Sequence, residues 1–324
     1  MTGAGPGQTV VAVVTAFRPE RALLERVQAV LPAVDRLIVV DDGSGDDAAP
    51  VLRDLESAGA RVVRLAENSG IATALNTGIR AAAEGPVTHV LTLDQDSRFD
   101  EAAVVRLLAA ETAAAERGHA VAFSVPEFFA EVSQVHRRLD DGTLVTRHSI
   151  QSGMLIPMRT LEAVGAFRDD FFIDLVDTEF ELRCDVSGLV GVAAPGLKLA
   201  HALGAQYERP RWLTLATLGF GPRVVTLSTP FRYYYRLRNR IVLNREYRRS
   251  RFAWVLRDTV IEYLHFAVAA MLARPRGGLR RLFAHAVRDA REGRMGRARE
   301  ADLEHAKGIR WAAVPIPEVE RSGS

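Results

Sequence analysis

Short apolar runs alternate with longer amphipathic stretches along the first hundred residues. The runs are rich in β-branched residues, which is typical of strands buried on both faces of a sheet, and the stretches between them have apolar residues at helical spacing. The predicted elements are strands at 9–15, 36–40, 61–65 and 89–93 and helices at about 18–31, 48–58 and 71–84. Strands that alternate with helices form a mostly parallel sheet with crossover helices on its faces. The pattern therefore predicts a Rossmann-like α/β fold.

A change of composition near residue 231 divides the chain. Before it, a further helix, a hairpin turn and a strand are predicted at about 101–117, 139–143 and 190–198. Beyond it, arginine and aromatic residues become frequent, and apolar residues between Trp254 and Phe266 cover more than one face of a predicted helix. We therefore predict a main domain at 1–230 and a C-terminal helical, arginine-rich region at 231–324. Its apolar helix either packs on the main domain or rests on a membrane surface.

Two carboxylates follow the predicted fourth strand. Asp94 and Asp96 are separated by one residue, and because aspartate is a poor strand former, both belong at the strand end or in the next loop. The carboxyl ends of the strands of an open α/β sheet are where ligands bind. Clustered carboxylates repel each other and attract a hard cation, typically Mg²⁺ or Mn²⁺ held together with a substrate phosphate. The alternative is a solvated acidic turn.

A second acidic pair follows the second strand. Asp41 and Asp42 can accept hydrogen bonds from a nucleobase edge and from ribose hydroxyls, and Gly43 lets the backbone come close to a ligand. The alternative is a turn that caps the next helix, for which Asp46 alone suffices. Polar amides and a flexible turn extend this edge after the third strand, at Asn68, Gly70 and Asn76.

Three further acids lie close together after two phenylalanines. A carboxylate beside apolar rings has a raised pKa and can act as a general base, and the candidates are Asp174, Asp177 and Glu179. Their spacing does not place all three on one helical face, so we expect only one of them to face a site. His201 follows a predicted strand, and although a lone histidine is more often a surface residue, imidazole is a competent third metal ligand.

These motifs occur in an order that resembles the family 2 glycosyltransferases of the GT-A fold. The motifs that carry the resemblance are Thr15, Val40-Asp41-Asp42-Gly43-Ser44, Asn68 and Gly70 with Asn76, Leu93-Asp94-Gln95-Asp96-Ser97, Ser152-Gly153, Asp177-Thr178-Glu179, and His201 with Gly204. The bacterial rhamnosyltransferases are the most similar branch, through the patterns at 93–97, 171–179 and 232–239. The resemblance covers about residues 9–295, except for 125–146, where no match is found.

The resemblance implies a role for each of these residues. Asp177 would be the general base of an inverting transfer, and Asp96 with His201 would bind the Mg²⁺ or Mn²⁺ ion. Contacts with the nucleotide-sugar donor would come from Thr15, Asp41, Asp42, Asn68, Gly70, Asn76, Asp94, Gln95, Ser152, Gly153 and Arg238. The implied reaction moves a sugar, L-rhamnose from dTDP-rhamnose, to a glycan or lipid-linked acceptor. The alternatives are a UDP- or dTDP-linked donor of another sugar, such as galactofuranose or N-acetylglucosamine, and a non-catalytic protein that binds nucleotide sugars.

Charge and composition bear on the binding partners, on a rival enzyme class and on the location of the protein. The net charge is +2, but residues 232–257 contain nine arginines and one acid, and arginine is the better bidentate phosphate partner. The acidic first half argues against a nucleic-acid partner, and a haloacid-dehalogenase-like phosphatase would need an acidic pair after its lysine, which Lys198 lacks. The single cysteine, Cys184, and an N-terminus without a signal-peptide pattern indicate a cytoplasmic location, with contact at the inner face of the cell membrane as a further possibility.

Overall fold

The chain folds into two compact units. The computed structural model describes residues 7–200, 206–208 and 224–316. Its internal contacts separate residues 1–202 from residues 203–324. The first unit contains an α/β sheet, and the described part of the second unit contains helices and two small antiparallel strand pairs.

A ten-stranded sheet forms the centre of the first unit. Its strands are β1 (Val10–Ala16), β2 (Arg36–Asp41), β3 (Arg61–Arg64), β4 (His89–Asp94), β5 (Val121–Phe129), β6 (Val132–Ser133), β7 (Val135–Arg138), β8 (Leu144–Thr146), β9 (Met154–Pro157) and β10 (Val190–Leu199). Its helices are α1 (Ala22–Val30), α2 (Ala49–Ser57), α3 (Ile71–Ala82), α4 (Glu101–Glu116), α5 (Met158–Val164) and α6 (Val176–Val186). The strand order is β3-β2-β1-β4-β9-β5-β10-β8-β7, with β6 beside β5. Along this path β8 and β9 run against the other strands, so the sheet is mixed but mostly parallel.

Helices cover both faces of the central strands. Val10, Ala12 and Val14 of β1 belong to one core cluster together with apolar residues of α1, α2 and α4. Because side chains alternate along a strand, Val13 points to the opposite face, where a Cβ atom on Gly78 of α3 would lie 2.2 Å from its Cγ1 atom. Burial on both faces explains why β1 is apolar along its whole length.

The sheet has its topological switch point beside β1. The chain adds β2 and β3 on one side of β1 and β4 on the other, all parallel to it. Near the carboxyl end of β1, Thr15 stands opposite Val40 of β2 and Asp94 of β4. In an open α/β sheet the crevice beyond the strand ends at such a point is the usual place for a ligand.

The second unit is helical in most of its described part. Its helices are α7 (Arg232–Tyr247), α8 (Phe252–Leu272), α9 (Arg276–Glu292) and α10 (Glu300–Lys307), and its strands are β11 (Gln206–Glu208), β12 (Val224–Thr226), β13 (Ala273–Arg274) and β14 (Arg310–Trp311). Strand β11 pairs with β12, and β13 with β14. Within the described ranges, no helix combines the length and the apolar character needed to cross a bilayer.

The division between the units comes earlier than the sequence predicted. The composition changes at residue 231, where α7 is about to begin, and the boundary was therefore predicted between residues 230 and 231. In the structure β11 already belongs with the C-terminal part, because the backbone N–H of Glu208 donates to Val314 O and that of Ile316 donates to Gln206 O, each at 2.8 Å. A contact between segments a hundred residues apart leaves no mark on the local composition.

The predicted α/β fold with a C-terminal helical extension is confirmed. Each predicted element of the first hundred residues is present, and most of their ends lie within two residues of the predicted ones. The largest difference is α1, which begins at Ala22 rather than at Arg18. Arg18 has a positive φ of 50°, a conformation that an α-helix cannot include. The predicted hairpin turn at Asp141-Gly142 joins β7 to β8.

Candidate active site

The loop after β4 is held by residues that precede β9. The Oδ1 atom of Asp94 accepts a hydrogen bond from Nε2 of Gln151 at 2.5 Å, and the backbone N–H of Asp94 donates to Oγ of Ser152 at 2.9 Å. The hydroxyls of Ser97 and Ser152 lie 2.5 Å apart. Ser152 is fully buried and holds the loop after β4 in place; its predicted contact with the donor stays a prediction.

Gly153 and Gln95 also join strands to one another. The backbone N–H of Gly153 donates to Thr92 O at 2.7 Å, and Gly153 is packed closely against the side chain of Leu199. Oε1 of Gln95 accepts from the backbone N–H of Phe17 at 2.9 Å, so the loop after β4 is tied to the end of β1 across the switch point. Asp96, between these anchored neighbours, is exposed at the carboxyl edge of the sheet.

The two aspartates after β2 have different partners. Asp42 is buried, and its Oδ1 and Oδ2 atoms accept from the backbone N–H groups of Ser69 and Gly70 at 2.7 and 3.0 Å. Asp41 is also buried and accepts a hydrogen bond from the Ser44 hydroxyl. Both carboxylates therefore shape the loops that follow β2 and β3, and the predicted contacts with base and ribose stay a prediction.

Close backbone contacts make two glycines necessary at this edge. Gly43 has φ 70°, and a Cβ atom there would lie 2.2 Å from the carbonyl carbon of Glu67. Gly70 has φ 94°, and its Cβ would lie 2.4 Å from Phe172 O. Any larger residue would strain the backbone and push these segments apart. The loops after β2 and β3 and the segment before α6 are thus packed against one another.

Asn76 has a structural role. Its Nδ2 atom donates to Phe167 O at 2.7 Å, and its Oδ1 atom accepts from the backbone N–H of Phe167 at 3.0 Å. The whole amide is engaged with a segment 91 residues away, and Asn76 is buried. The predicted contact of Asn76 with the donor stays a prediction. Asn68 and Thr15, half-buried and buried respectively, lie at the edge where they were predicted.

The segment before α6 has an unusual backbone. Phe172, Asp174 and Leu175 all have positive φ angles, between 61° and 66°, although none of them is glycine. Non-glycine residues in this region cost free energy and occur preferentially at functional sites. Helix α6 then begins at Val176, which places Asp177 in its first turn.

The surroundings of Asp177 favour the protonated form of its carboxyl group. Burial of the carboxylate raises its pKa, and the negative charge of Asp174 acts in the same direction. Hydrogen bonding from the backbone of Thr178, at 2.7 Å, and the charge of His148 oppose this rise without cancelling it. The residue as a whole is partly exposed.

The neighbouring acids Glu179 and Glu181 are bound by other groups of the protein. Glu179 is buried and forms a two-point ion pair with Arg183, at 3.1 and 2.8 Å. Glu181 is buried and accepts hydrogen bonds from the hydroxyl and the backbone N–H of Ser149, at 2.8 and 3.1 Å. Of the three acids that the sequence offered, this geometry favours Asp177 over Glu179, while Asp174 acts on Asp177 through its charge.

In the segment between β8 and β9, the sequence analysis named Ser152 and Gly153 but missed His148, Ser149 and Gln151. Gln151 holds Asp94, Ser149 holds Glu181, and His148 affects the pKa of both Asp177 and Glu181. This segment therefore links the loop after β4 to α6. A pattern of apolar residues could not show it, because its polar side chains find their partners in distant parts of the chain; the φ of 62° at His148 is a backbone signal that only a structure reveals.

Two predicted site residues cannot be placed with the others. His201 lies outside the described residues. Arg238 belongs to the second unit, where it is buried, donates from Nη1 to Gly296 O at 2.7 Å and lies over the rings of Tyr234 and Tyr235. The described residues contain no group of three potential metal ligands, so Asp94 and Asp96 are the carboxylates available there for a cation. The roles of His201 and Arg238 stay predictions.

Residues 11–167 match the model of a protein family described as Glycosyl transferase family 2. This part of the chain belongs to glycosyltransferase family 2. It is also similar to the dTDP-rhamnosyl transferase RfbF of Shigella flexneri, with 26% identity over 252 residues that cover 73% of this chain and 80% of that protein. The predicted resemblance to rhamnosyltransferases of family 2 is thereby confirmed, and with it the enzyme class.

Two solved structures match part of the chain. TarS of S. aureus matches with a TM-score of 0.47 and 12% identity, over 73% of this chain and 39% of that chain. Glucosyl-3-phosphoglycerate synthase from Mycobacterium tuberculosis, in complex with Mg²⁺ and uridine diphosphate, matches with a TM-score of 0.41 and 22% identity, over 66% of this chain and 75% of that chain.

Proposed function

We propose that this glycosyltransferase moves L-rhamnose from dTDP-rhamnose to a hydroxyl group of a glycan or lipid-linked acceptor, with inversion at the anomeric carbon. The similarity to a dTDP-rhamnosyl transferase supports the donor. The observation that carries the mechanism is the carboxylate of Asp177, whose pKa is raised by burial at the start of α6 while Glu179 and Glu181 are engaged by other side chains.

Asp177 would act as the general base. A carboxylate with a raised pKa is a stronger proton acceptor and transfers protons more effectively near neutral pH. As the acceptor oxygen forms its bond to the anomeric carbon, its proton passes to Asp177. The bond between the anomeric carbon and the diphosphate oxygen breaks, and its electron pair leaves with dTDP. A direct displacement of this kind inverts the configuration at the anomeric carbon.

The loops at the carboxyl edge would bind the donor. Asp41 would contact the base and ribose, and Asp42 would contribute both directly and by holding the turn at Asn68–Gly70. Two carboxylates at the end of β4 are hard oxygen ligands of the type that Mg²⁺ and Mn²⁺ prefer, and Asp96, supported by Asp94, would hold that ion. When bound, the ion neutralises charge on the diphosphate leaving group. His201 would complete the metal site, and Gln95 would keep the loop in register with β1.

Thermal-shift measurements against a panel of nucleotide sugars test the donor. A ligand stabilises the folded state that binds it, so dTDP-rhamnose with Mg²⁺ or Mn²⁺ is expected to raise the melting temperature more than UDP-galactofuranose, UDP-N-acetylglucosamine or dTDP-glucose. Release of dTDP from dTDP-rhamnose should then depend on an added acceptor. A larger shift and a faster turnover with one of the UDP-linked sugars would overturn the donor assignment while leaving the role of Asp177 to be tested separately.

A further inference from the structure

On helix α8 of the second unit, both acidic side chains face the protein. Its two acids face inward: Asp258 accepts a hydrogen bond from Nε1 of Trp254 at 2.9 Å, and Glu262 forms ion pairs with Arg236 and Arg240 of α7 at 3.1 and 2.6 Å. Trp254, Asp258 and Glu262 are all buried, and Glu262 is only 6% exposed. Both acids therefore lie on the side that packs on the protein, together with apolar residues such as Val255 and Phe266.

The opposite side of α8 is apolar and exposed. Of the thirteen large apolar side chains that are exposed among the described residues, six lie on this helix. Five of these six, which we call the outer stripe, are Phe252, Leu256, Val260, Tyr263 and Leu264. At about 100° per residue they fall within an arc of roughly 120°, centred nearly opposite the buried acids. A helix that needed only to pack on its own unit would not expose this surface, because apolar surface in water is unfavourable.

Exposed arginines lie near both ends of α8. Arg248 and Arg249 are exposed just before the helix, and Arg257 is exposed within its second turn. Arg274 and Arg276 are exposed just after its end. Because Asp258 and Glu262 are turned inward, α8 adds no exposed acid to offset these charges. The surface is thus an apolar strip between two cationic clusters.

We propose that the outer stripe and its flanking arginines dock on the surface of an anionic lipid bilayer. Apolar side chains of a surface-lying helix enter the boundary between head groups and acyl chains, and arginines beside them gain from the negative potential of the leaflet. A second copy of the chain fits the surface less well. An antiparallel pairing of two such helices would bring the arginine clusters of one against those of the other, with no exposed acid of α8 between them. This inference is independent of the sugar that the enzyme transfers.

Co-sedimentation of the full chain with vesicles tests the proposal. The expected result is binding to phosphatidylcholine vesicles that contain phosphatidylglycerol, weak binding to phosphatidylcholine alone, and loss of binding as the salt concentration rises. Leu264→Gln is expected to weaken binding on the order of tenfold, since it removes a leucine side chain that would be buried in the bilayer surface on docking. The matched control is Val314→Gln, because Val314 is 62% exposed and Leu264 64% exposed; this control should bind as the parent does.

Charge reversal supplies a second and independent arm. Arg248→Glu with Arg249→Glu should weaken binding by on the order of tenfold or more, because each basic residue near the leaflet contributes favourably. The matched control is the exposed pair Arg137 and Arg138 on β7, changed in the same way, which alters the net charge equally but should leave binding intact. All of these positions are exposed, so circular dichroism should show the parent fold in each variant.

Three results would overturn the proposal. The first is a protein that stays in the supernatant with anionic vesicles at low salt. The second is equal weakening by a variant and its matched control, which would indicate an effect of net charge or of apolar surface in general. The third is a dimer in analytical ultracentrifugation that Leu264→Gln dissociates, without vesicle binding by the parent, which would assign the outer stripe to a second copy of the chain. Transfer to a small water-soluble acceptor remains a separate readout for the proposed function.

Discussion

Replacing Asp177 by asparagine should separate activity from stability. Asparagine keeps the size of the side chain, and its oxygen can still accept the hydrogen bond that the backbone N–H of Thr178 now gives to Oδ1 at 2.7 Å. It cannot accept a proton from the acceptor hydroxyl. General-base catalysis contributes about 10²- to 10⁴-fold to a rate, so kcat should fall by about two to four orders of magnitude while donor binding changes little.

The stability of the same variant should move in the opposite direction. Because burial raises the pKa of Asp177 in the folded state, ionising this carboxyl is less favourable in the folded than in the unfolded chain. The wild-type protein therefore has its full stability from this group below the unfolded pKa of about 3.9 and loses it as the pH rises through the folded pKa. Asp177→Asn does not ionise, so at neutral pH it should melt at or above the wild-type temperature, and the difference should narrow as the pH is lowered.

The assays are initial-rate kinetics with dTDP-rhamnose and thermal melts of both proteins between pH 5 and 8. Glu179→Gln is the matched control for removing a charge from the same helix. It breaks the ion pair with Arg183, so it should lower the free energy of unfolding by about 1–3 kcal/mol and leave the folded enzyme active. If Asp177→Asn keeps kcat within about tenfold of the wild type, or if Glu179→Gln or Asp174→Asn is the inactive variant, the assignment of the base is wrong.

Three further changes test other parts of the structure. Asp96→Ala should lower turnover by about a hundredfold or more, since a bound cation contributes several kcal/mol, and nucleotide binding should lose its sensitivity to EDTA; near-normal wild-type activity in EDTA would contradict this. Asn76→Ala leaves the N–H and C=O groups of Phe167 unpaired and should lower the free energy of unfolding in urea by about 1–3 kcal/mol, whereas a donor contact would raise KM without moving the urea midpoint. For Glu111, burial acts to raise the pKa, but hydrogen bonds from His89 and Arg159 outweigh it and the pKa is lowered. Its stabilisation is present above the unfolded pKa of about 4.3 and is lost as the pH falls through the folded pKa. The destabilisation of Glu111→Gln in urea titrations should therefore persist from neutral pH down to the unfolded pKa and shrink below it; a destabilisation that does not shrink there would refute this.

The α/β order of the first unit was determined by the sequence. Residues 10–14 are apolar without interruption because β1 is buried on both faces, and that burial is what the apolar pattern records. The same holds for the position of Asp94 at the end of β4, since an aspartate ends an apolar run wherever the strand meets solvent. The carboxyl edge of the sheet, and so the region of the site, follows from these two local features and the handedness of parallel crossovers.

The hydrogen-bond partners of the polar residues at this edge were decided by the tertiary structure. Asp42, Asn76 and Ser152 were all predicted to contact the donor, yet each forms hydrogen bonds to a backbone segment between 27 and 91 residues away. A buried polar group must find a partner, and the nearest partner in space is not visible in the local pattern. The residue types at the edge can be read from the sequence, while only the fold decides which of them also hold distant backbone segments together.

Helix α8 also shows what a sequence pattern cannot determine, namely which face of a helix is buried. Its sequence indicated apolar residues on more than one face, and both packing on the protein and contact with a membrane agreed with that pattern. The structure resolves the faces: Glu262 pairs with Arg236 and Arg240 of α7 on the buried side, which also carries apolar residues, and the outer stripe faces solvent. Periodicity fixes which residues of a helix share a face, but which face is buried depends on the partners that the rest of the fold supplies.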